Sequence, residues 1–180
     1  IDAVLSIPSL ANNLSGVAIA TIIGKLILEI KKRKYSYRIT FTPETIGPIV
    51  LNHLKNGFSD NIIGGYNLVN LGYGNDFNFK LSRTGDTIAD KAMIHSLKFS
   101  RNKNIVRPYD VLSGTCGNEK AYNSLGIEIP ISSIHRKKMG SYLEYDTDAD
   151  NLELIERKLL HESLEVIWAA IKIIEREELY

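Results

Sequence analysis

Val17-Ala-Ile-Ala-Thr-Ile-Ile-Gly-Lys-Leu-Ile-Leu-Glu-Ile30, then Lys31-Lys-Arg-Lys34, then Tyr35-Ser-Tyr-Arg-Ile-Thr-Phe41 and Pro43 are the residues that decide the fold class. From Ile19 the apolar side chains Ile22, Ile23, Leu26, Ile27 and Ile30 recur at helical spacing behind the candidate caps Asn13 and Ser15, which predicts an amphipathic helix. The basic run that closes it suits a helix C-terminus, where the dipole favours cations, so it reads as a solvated helix end rather than a binding patch. Residues 35–41 are rich in aromatic and β-branched types and stop before a proline, the pattern of a strand followed by a loop. Glu44 then falls at the C-terminal end of that strand.

The alternation continues along the chain. Helices are predicted over 46–54 and 88–97, and extended segments over 61–71, 105–112 and 129–134. A long closing helix is predicted over 152–178, with Leu152, Ile155, Leu159, Leu160, Leu164, Ile167, Ile171 and Ile174 on one side. The order implies an α/β fold, a mixed and mostly parallel sheet flanked by helices. No fixed-period repeat, linker or low-complexity tract interrupts residues 1–180, which read as a single domain.

Composition narrows the function classes. With 22 Lys plus Arg against 21 Asp plus Glu, no overall field recruits nucleic acid or a membrane surface, and partner choice falls to a local site. The apolar stretch 17–30 is interrupted by Thr21, Gly24, Lys25 and Glu29, so it reads as a core helix rather than a membrane span. The single cysteine, Cys116, excludes an internal disulfide framework and fits a cytoplasmic protein. It has no recognisable neighbouring base to make it a nucleophile. None of His53, His95, His135 and His161 forms a His-x-x-x-His pair, and helix-surface or core roles are expected for them.

Several segments match one family in order and spacing. Pro8-Ser9-Leu10-Ala11-Asn12-Asn13-Leu14-Ser15-Gly16 resembles the first motif of the aminopeptidase-like branch of zinc exopeptidases, close to His-Pro-Ser-x-Ala-Asn-Asp-Asn-Leu-Ser-Gly. The resemblance continues through Pro43-Glu44-Thr45-Ile46-Gly47, Ser82-Arg83-Thr84-Gly85, Gly117-Asn118-Glu119-Lys120-Ala121-Tyr122 and Gly140-Ser141-Tyr142-Leu143-Glu144-Tyr145-Asp146-Thr147. It implies the zinc-exopeptidase, phosphorylase/hydrolase-like version of the α/β fold, in a family associated with polysaccharide-biosynthesis loci. It also implies further sequence on both sides, so the domain is expected to be incomplete at the N-terminus.

By the same resemblance, zinc is the implied cofactor and a small peptide-like or amide compound the implied substrate. Zinc hydrolysis needs imidazoles and carboxylates around the metal and a free Glu to take the proton from bound water. Glu44 occupies the position of that catalytic Glu, and Thr45 stands where a metal-binding Glu would follow. Ile7 replaces a ligand His. Asn12, with one residue deleted from the loop, falls at the bridging Asp, and Asp146 replaces the last ligand His. Asn70 lies near a further ligand Asp.

Each position also has a plainer reading. Glu44 would be a surface carboxylate near a helix N-terminus, and Asp146 a solvated member of the 146–150 loop in which Asp150 caps the last helix. Arg83 and Arg136 match basic positions that could hold a substrate carboxylate, or serve structural ion pairs. Tyr122 either lines the pocket or is a packed aromatic. The matched positions therefore imply an aminopeptidase-like protein with a degenerate metal site and weak or no hydrolysis. The alternative is a non-catalytic ligand-binding or assembly module on the same scaffold, with oligomerisation left open.

Overall fold

The structure, a computed structural model, describes residues 1–6, 9–54, 61–98, 107–109 and 117–176. Ile7 and Cys116 lie outside these, as do most of 105–112. Strand β1 (Asp2–Leu5) runs into a π-helical turn at Leu10–Leu14, which continues as α1 (Ser15–Leu28). Then follow β2 (Thr40–Pro43), α2 (Ile46–Leu54), β3 (Gly65–Leu68), β4 (Asn78–Lys80) and α3 (Ile88–Lys98). The chain continues with β5 (Arg107–Tyr109), α4 (Glu119–Tyr122), β6 (Ile131–His135) and α5 (Arg157–Arg176).

Six strands form one sheet in the order β2-β1-β3-β6-β4-β5. Every pairing is parallel except β4 against β6, where Phe79 faces Ile134. This is the mixed, mostly parallel sheet expected. The strand predicted over 35–41 sits later, at Thr40–Pro43. As an edge strand it pairs only with the four residues of β1, while Tyr35, Tyr37 and Ile39 approach it as irregular chain packed on the core. The extended segment 61–71 contracts to Gly65–Leu68, because Asn70 turns out of the strand with φ 43°. The closing helix begins at Arg157 rather than Leu152: Leu152–Leu154 form a separate 3-10 turn, and the extended backbone of Ile155 breaks the path.

Alternation along the strands sorts the two faces. Ala3, Tyr66, Leu68, Phe79 and Ile134 join Ile19, Ile23, Met93, Ile167 and Ile171 in the main core, under α1, α3 and α5. The intervening positions Asp2, Asn67 and Lys80 are buried and polar, and they meet Asn118 and Glu119 at α4. Helix α1 lies directly on β3, where a Cβ at Gly16 would come 2.1 Å from the Leu68 carbonyl oxygen. By length and composition the helical stretch Leu10–Leu28 could cross a bilayer, but half of it is buried within the fold. Burial of Ile19, Ala20, Ile23 and Ile27 accounts for its apolar character.

His135, at the end of β6, is held neutral. Burial, aided by the charges of Lys80 and Lys138, pulls its pKa from 6.5 down to about 4. The unfolded chain therefore binds more protons between those two values, and stability falls as pH drops through that window. About 3 kcal/mol should be lost between pH 7 and pH 4 from this group alone, at 1.36 kcal/mol per unit. Urea denaturation across that range should show the loss, with a shallower slope in His135→Gln. An equal slope in both proteins would remove His135 as the cause.

Candidate functional site

The C-terminal ends of β1, β2 and β3 converge at one rim of the sheet. Glu44 follows the last residue of β2 directly. Its loop is anchored from below: the Thr45 N–H donates to Asn118 Oδ1 at 2.8 Å, and Asn118 Nδ2 donates to Asp2 Oδ2 at 2.7 Å. At the end of β3 the Asn70 N–H donates to the Asn12 carbonyl at 2.7 Å, which sets the two asparagines side by side. Both are fully buried.

Asp146 reaches the same place from the loop before α5. Burial raises the pKa of Glu44 first, and the negative charges of Asp146 and Glu119 raise it further. The Tyr145 hydroxyl lies between the Asn12 amide and the Asp146 carboxylate, and its pKa is pushed up to about 12, by burial before the charges of Asp146 and Glu44. Thr45, Asn70 and Asp146 all carry left-handed backbone, with φ of 63°, 43° and 55°. For the β-branched Thr45 this is a costly conformation, and such strain gathers where a side chain must be aimed.

The predicted residues divide. Glu44, Asn12 and Asp146 come together, and Asn70 joins them. Arg136 does not: its guanidinium is buried, donating to Ser163 Oγ at 2.8 Å and the Gly74 carbonyl at 3.2 Å, pairing with Glu162 at 2.8 Å and stacking 4.1 Å from the Phe77 ring centroid. Those donors are spent inside the fold, which corrects the expectation of a substrate contact. Arg83 is exposed, and its contacts run to Asn123 after α4. Tyr122 is buried with its hydroxyl toward Thr40 and Asp2. There it lines a cavity of about 360 Å³ that includes Ile1 and Gly65, at the opposite end of the strands from Glu44. It is the packed aromatic of the plainer reading.

Asp150 is also reassigned. Instead of capping the last helix, its carboxylate accepts from Ser9 Oγ, from the Ala11 N–H at 2.7 Å and from the Asn12 N–H at 3.2 Å. It caps the turn that carries Asn12, satisfying donors that a helix start leaves unpaired. Sequence reading assigned no role to the aromatic wall beside the site. There Tyr145 packs edge-on against Tyr142 at 5.6 Å between centroids, and Tyr142 against Tyr73 at 5.3 Å. Its signal was available, since Tyr142 and Tyr145 sit in the matched segment that ends at Asp146 and Thr147.

Tetrahedral zinc sites draw on imidazole or thiolate with at most one or two carboxylates. Among the described residues no group of three or more His, Cys, Asp or Glu side chains is placed to hold a metal ion. The rim offers two carboxylates, and Asn12 and Asn70 supply neutral amides.

Comparison with known proteins agrees with this fold. A polysaccharide biosynthesis protein with an aminopeptidase-like domain from Clostridium acetobutylicum is 33% identical over 174 residues, covering 96% of this chain and 39% of that protein. A crystal structure from the same organism, described as that of a peptidase, superposes with TM-score 0.85 at 31% identity, over 93% of this chain and 38% of the other. The zinc aminopeptidase BSAP of Bacillus subtilis superposes with TM-score 0.75 at 13% identity, over 97% and 45%. The γ-secretase component nicastrin does so with TM-score 0.66 at 10% identity, over 92% and 36%. The chain spans less than half the length of each. A family model described as a domain of unknown function, DUF4910, matches residues 1–177, and the chain belongs to that family, with an aminopeptidase-like fold.

Proposed function

We propose that this chain is an aminopeptidase-like domain whose cleft holds no tight zinc pair, hydrolyses amides weakly or not at all, and binds a small peptide-like compound. The observation that carries the reading is the donor set at the rim, where Glu44 is joined by one carboxylate, Asp146, and by the amides of Asn12 and Asn70. An amide oxygen bears no charge and makes a poor bridge between two cations. Loss of ligands lowers metal affinity by orders of magnitude, because binding energy rises steeply with each matched donor. The raised pKa of Glu44 suits a proton acceptor, yet a base without a polarising ion does little to activate water. Fold does not decide the matter, since a zinc aminopeptidase and a γ-secretase component share it. The aromatic wall of Tyr145, Tyr142 and Tyr73 provides the apolar lining that a ligand cleft needs.

Metal analysis of the purified protein should find well under one zinc per chain. Amino-acyl chromogenic substrates in excess zinc should turn over at background, equally in Glu44→Gln. Combining Ile7→His, Asn12→Asp and Asp146→His should raise zinc toward stoichiometry and create turnover that Glu44→Gln abolishes. Stoichiometric zinc in the unaltered protein, with turnover that depends on Glu44, would defeat the proposal.

A further inference from the structure

At the end of the sheet opposite Glu44, the first residues of four parallel strands, Asp2, Thr40, Gly65 and Ile131, frame the cavity of about 360 Å³. Its inner wall is aliphatic: Ile129, Ile131, Ile171 and Ile174 line it and are each 8% exposed or less. Residues 34–38 complete the lining, with Tyr35 and Tyr37 half-buried while Lys34, Ser36 and Arg38 are exposed and mark the mouth. Clefts of about 300 Å³ and above hold small organic ligands. Most polar groups of the wall are spent within the fold. Asp2 accepts from Thr40 Oγ1 at 2.6 Å and from Asn118 Nδ2 at 2.7 Å, and the Tyr66 hydroxyl donates to the Ala89 carbonyl at 2.8 Å. The Tyr37 hydroxyl donates to Glu175 at 2.6 Å, and the same carboxylate accepts from the Lys34 N–H at 2.7 Å. Tyr122 turns its hydroxyl toward Thr40. The Tyr35 hydroxyl differs, because it is buried with no hydrogen-bond partner among the described residues. Buried hydroxyls of native proteins nearly always have one, so the missing partner comes from outside the fold. It would meet positive charge there, since the Lys34 ammonium stands 5.4 Å from the centre of the Tyr35 ring.

The geometry points to a binding site for a small carboxylate with an apolar body, a medium-chain alkanoate, whose tail lies among the isoleucines and whose head meets Tyr35 and Lys34. Burying the tail against Ile129, Ile131, Ile171 and Ile174 supplies the non-directional part of the affinity. A carboxylate suits the head because it accepts from the Tyr35 hydroxyl, and a hydrogen bond to an ionised acceptor is about twice as strong as one between neutral groups. The cations Lys34 and Arg38 at the mouth add a field that draws an anion in and repels an amine. A neutral alcohol would satisfy Tyr35 but gain nothing from that field. None of Glu44, Asp146, Asn12 and Asn70 lines this cavity, so the inference stands apart from the reading of the rim.

Isothermal titration of the chain with hexanoate, octanoate and decanoate tests it, with octanol and octylamine as the same tail under other heads. Saturable binding of the alkanoates is expected, tightening about fourfold with each added methylene until the cavity is full. Octanoate should bind at least about tenfold more tightly than octanol or octylamine. Tyr35→Phe should weaken octanoate about tenfold or more while leaving the melting temperature of the unliganded protein unchanged or raised, because no hydrogen bond of the fold is lost with that hydroxyl. Lys34→Gln, at an exposed position, should weaken it as well. No saturable alkanoate binding, or octanol that binds as tightly as octanoate, would overturn the inference. So would octanoate affinity unchanged in both variants, or a Tyr35→Phe protein that melts markedly lower, since the hydroxyl would then have a partner inside the fold. None of these results bears on the zinc content or turnover predicted for the rim.

Discussion

Replacing Arg136 by alanine should cost about 3–5 kcal/mol of folding stability, the range for removing one partner of a buried ion pair. The residue is 1% exposed and joins two parts of the fold: the β3–β4 connection, through Gly74 and Phe77, and α5, through Ser163 and Glu162. Ser163 Oγ in turn donates to the Leu71 carbonyl at 2.8 Å, so alanine would loosen a relay as well as a pair. Glu162 keeps 16% of its side chain exposed and can recover some hydration, which favours the lower end of the range. Arg136→Lys should fall between, because an ammonium cannot reproduce the guanidinium fork or its stacking on Phe77. The exposed Arg83→Ala should move stability by no more than about 0.5 kcal/mol. Urea denaturation of the three variants provides the comparison, and equal losses at Arg83 and Arg136 would contradict the placement of the two arginines.

That contrast shows what could be read without coordinates. The helix predicted over 46–54 coincides with α2 (Ile46–Leu54), because a full nine residues carry its periodicity and Pro43 closes the strand before it. Strands β1 and β4 and helix α4 have three or four residues each, too few for either period to emerge, and they exist because neighbours supply their hydrogen bonds. Glu44 became a site candidate through the resemblance of the Pro43-Glu44-Thr45-Ile46-Gly47 segment, whereas its residue type and place beside a helix N-terminus suit a surface carboxylate equally. The two arginines looked alike because a basic residue beside a turn or strand gives no sign of facing inward or outward. Only Phe77, Ser163 and Glu162, brought together by tertiary packing, decide that Arg136 faces in. Asp150 was misread for a similar reason: it stood just before the closing helix, while the donors that claim it come from Ser9, Ala11 and Asn12 at the other end of the chain.

Glu119, carried in the matched segment 117–122, supports the site from beneath. Its carboxylate pairs with Lys80 at 3.3 Å, accepts from Asn67 Nδ2 at 2.9 Å and from the Gly117 N–H at 3.0 Å, and both charged side chains are 2% exposed or less. Glu119→Ala should therefore cost about 3–5 kcal/mol, because it removes the carboxylate that pairs with the Lys80 ammonium in the sheet's buried polar layer. Lys80→Ala should cost less, since Asn67 and Gly117 still donate to the carboxylate that remains. Lys80→Met combined with Glu119→Gln should cost less than the sum of the single losses, with a coupling between about 0.5 and 3 kcal/mol by double-mutant cycle. A second readout separates support of the site from stability alone: the charge of Glu119 helps to raise the pKa of Glu44, so Glu119→Gln should let Glu44 titrate at lower pH. Carbon-13 NMR of the glutamate carboxyls would follow that shift. A Glu44 that titrates unchanged in Glu119→Gln would reduce the buried pair to a brace for α4, with no influence on the chemistry at the rim.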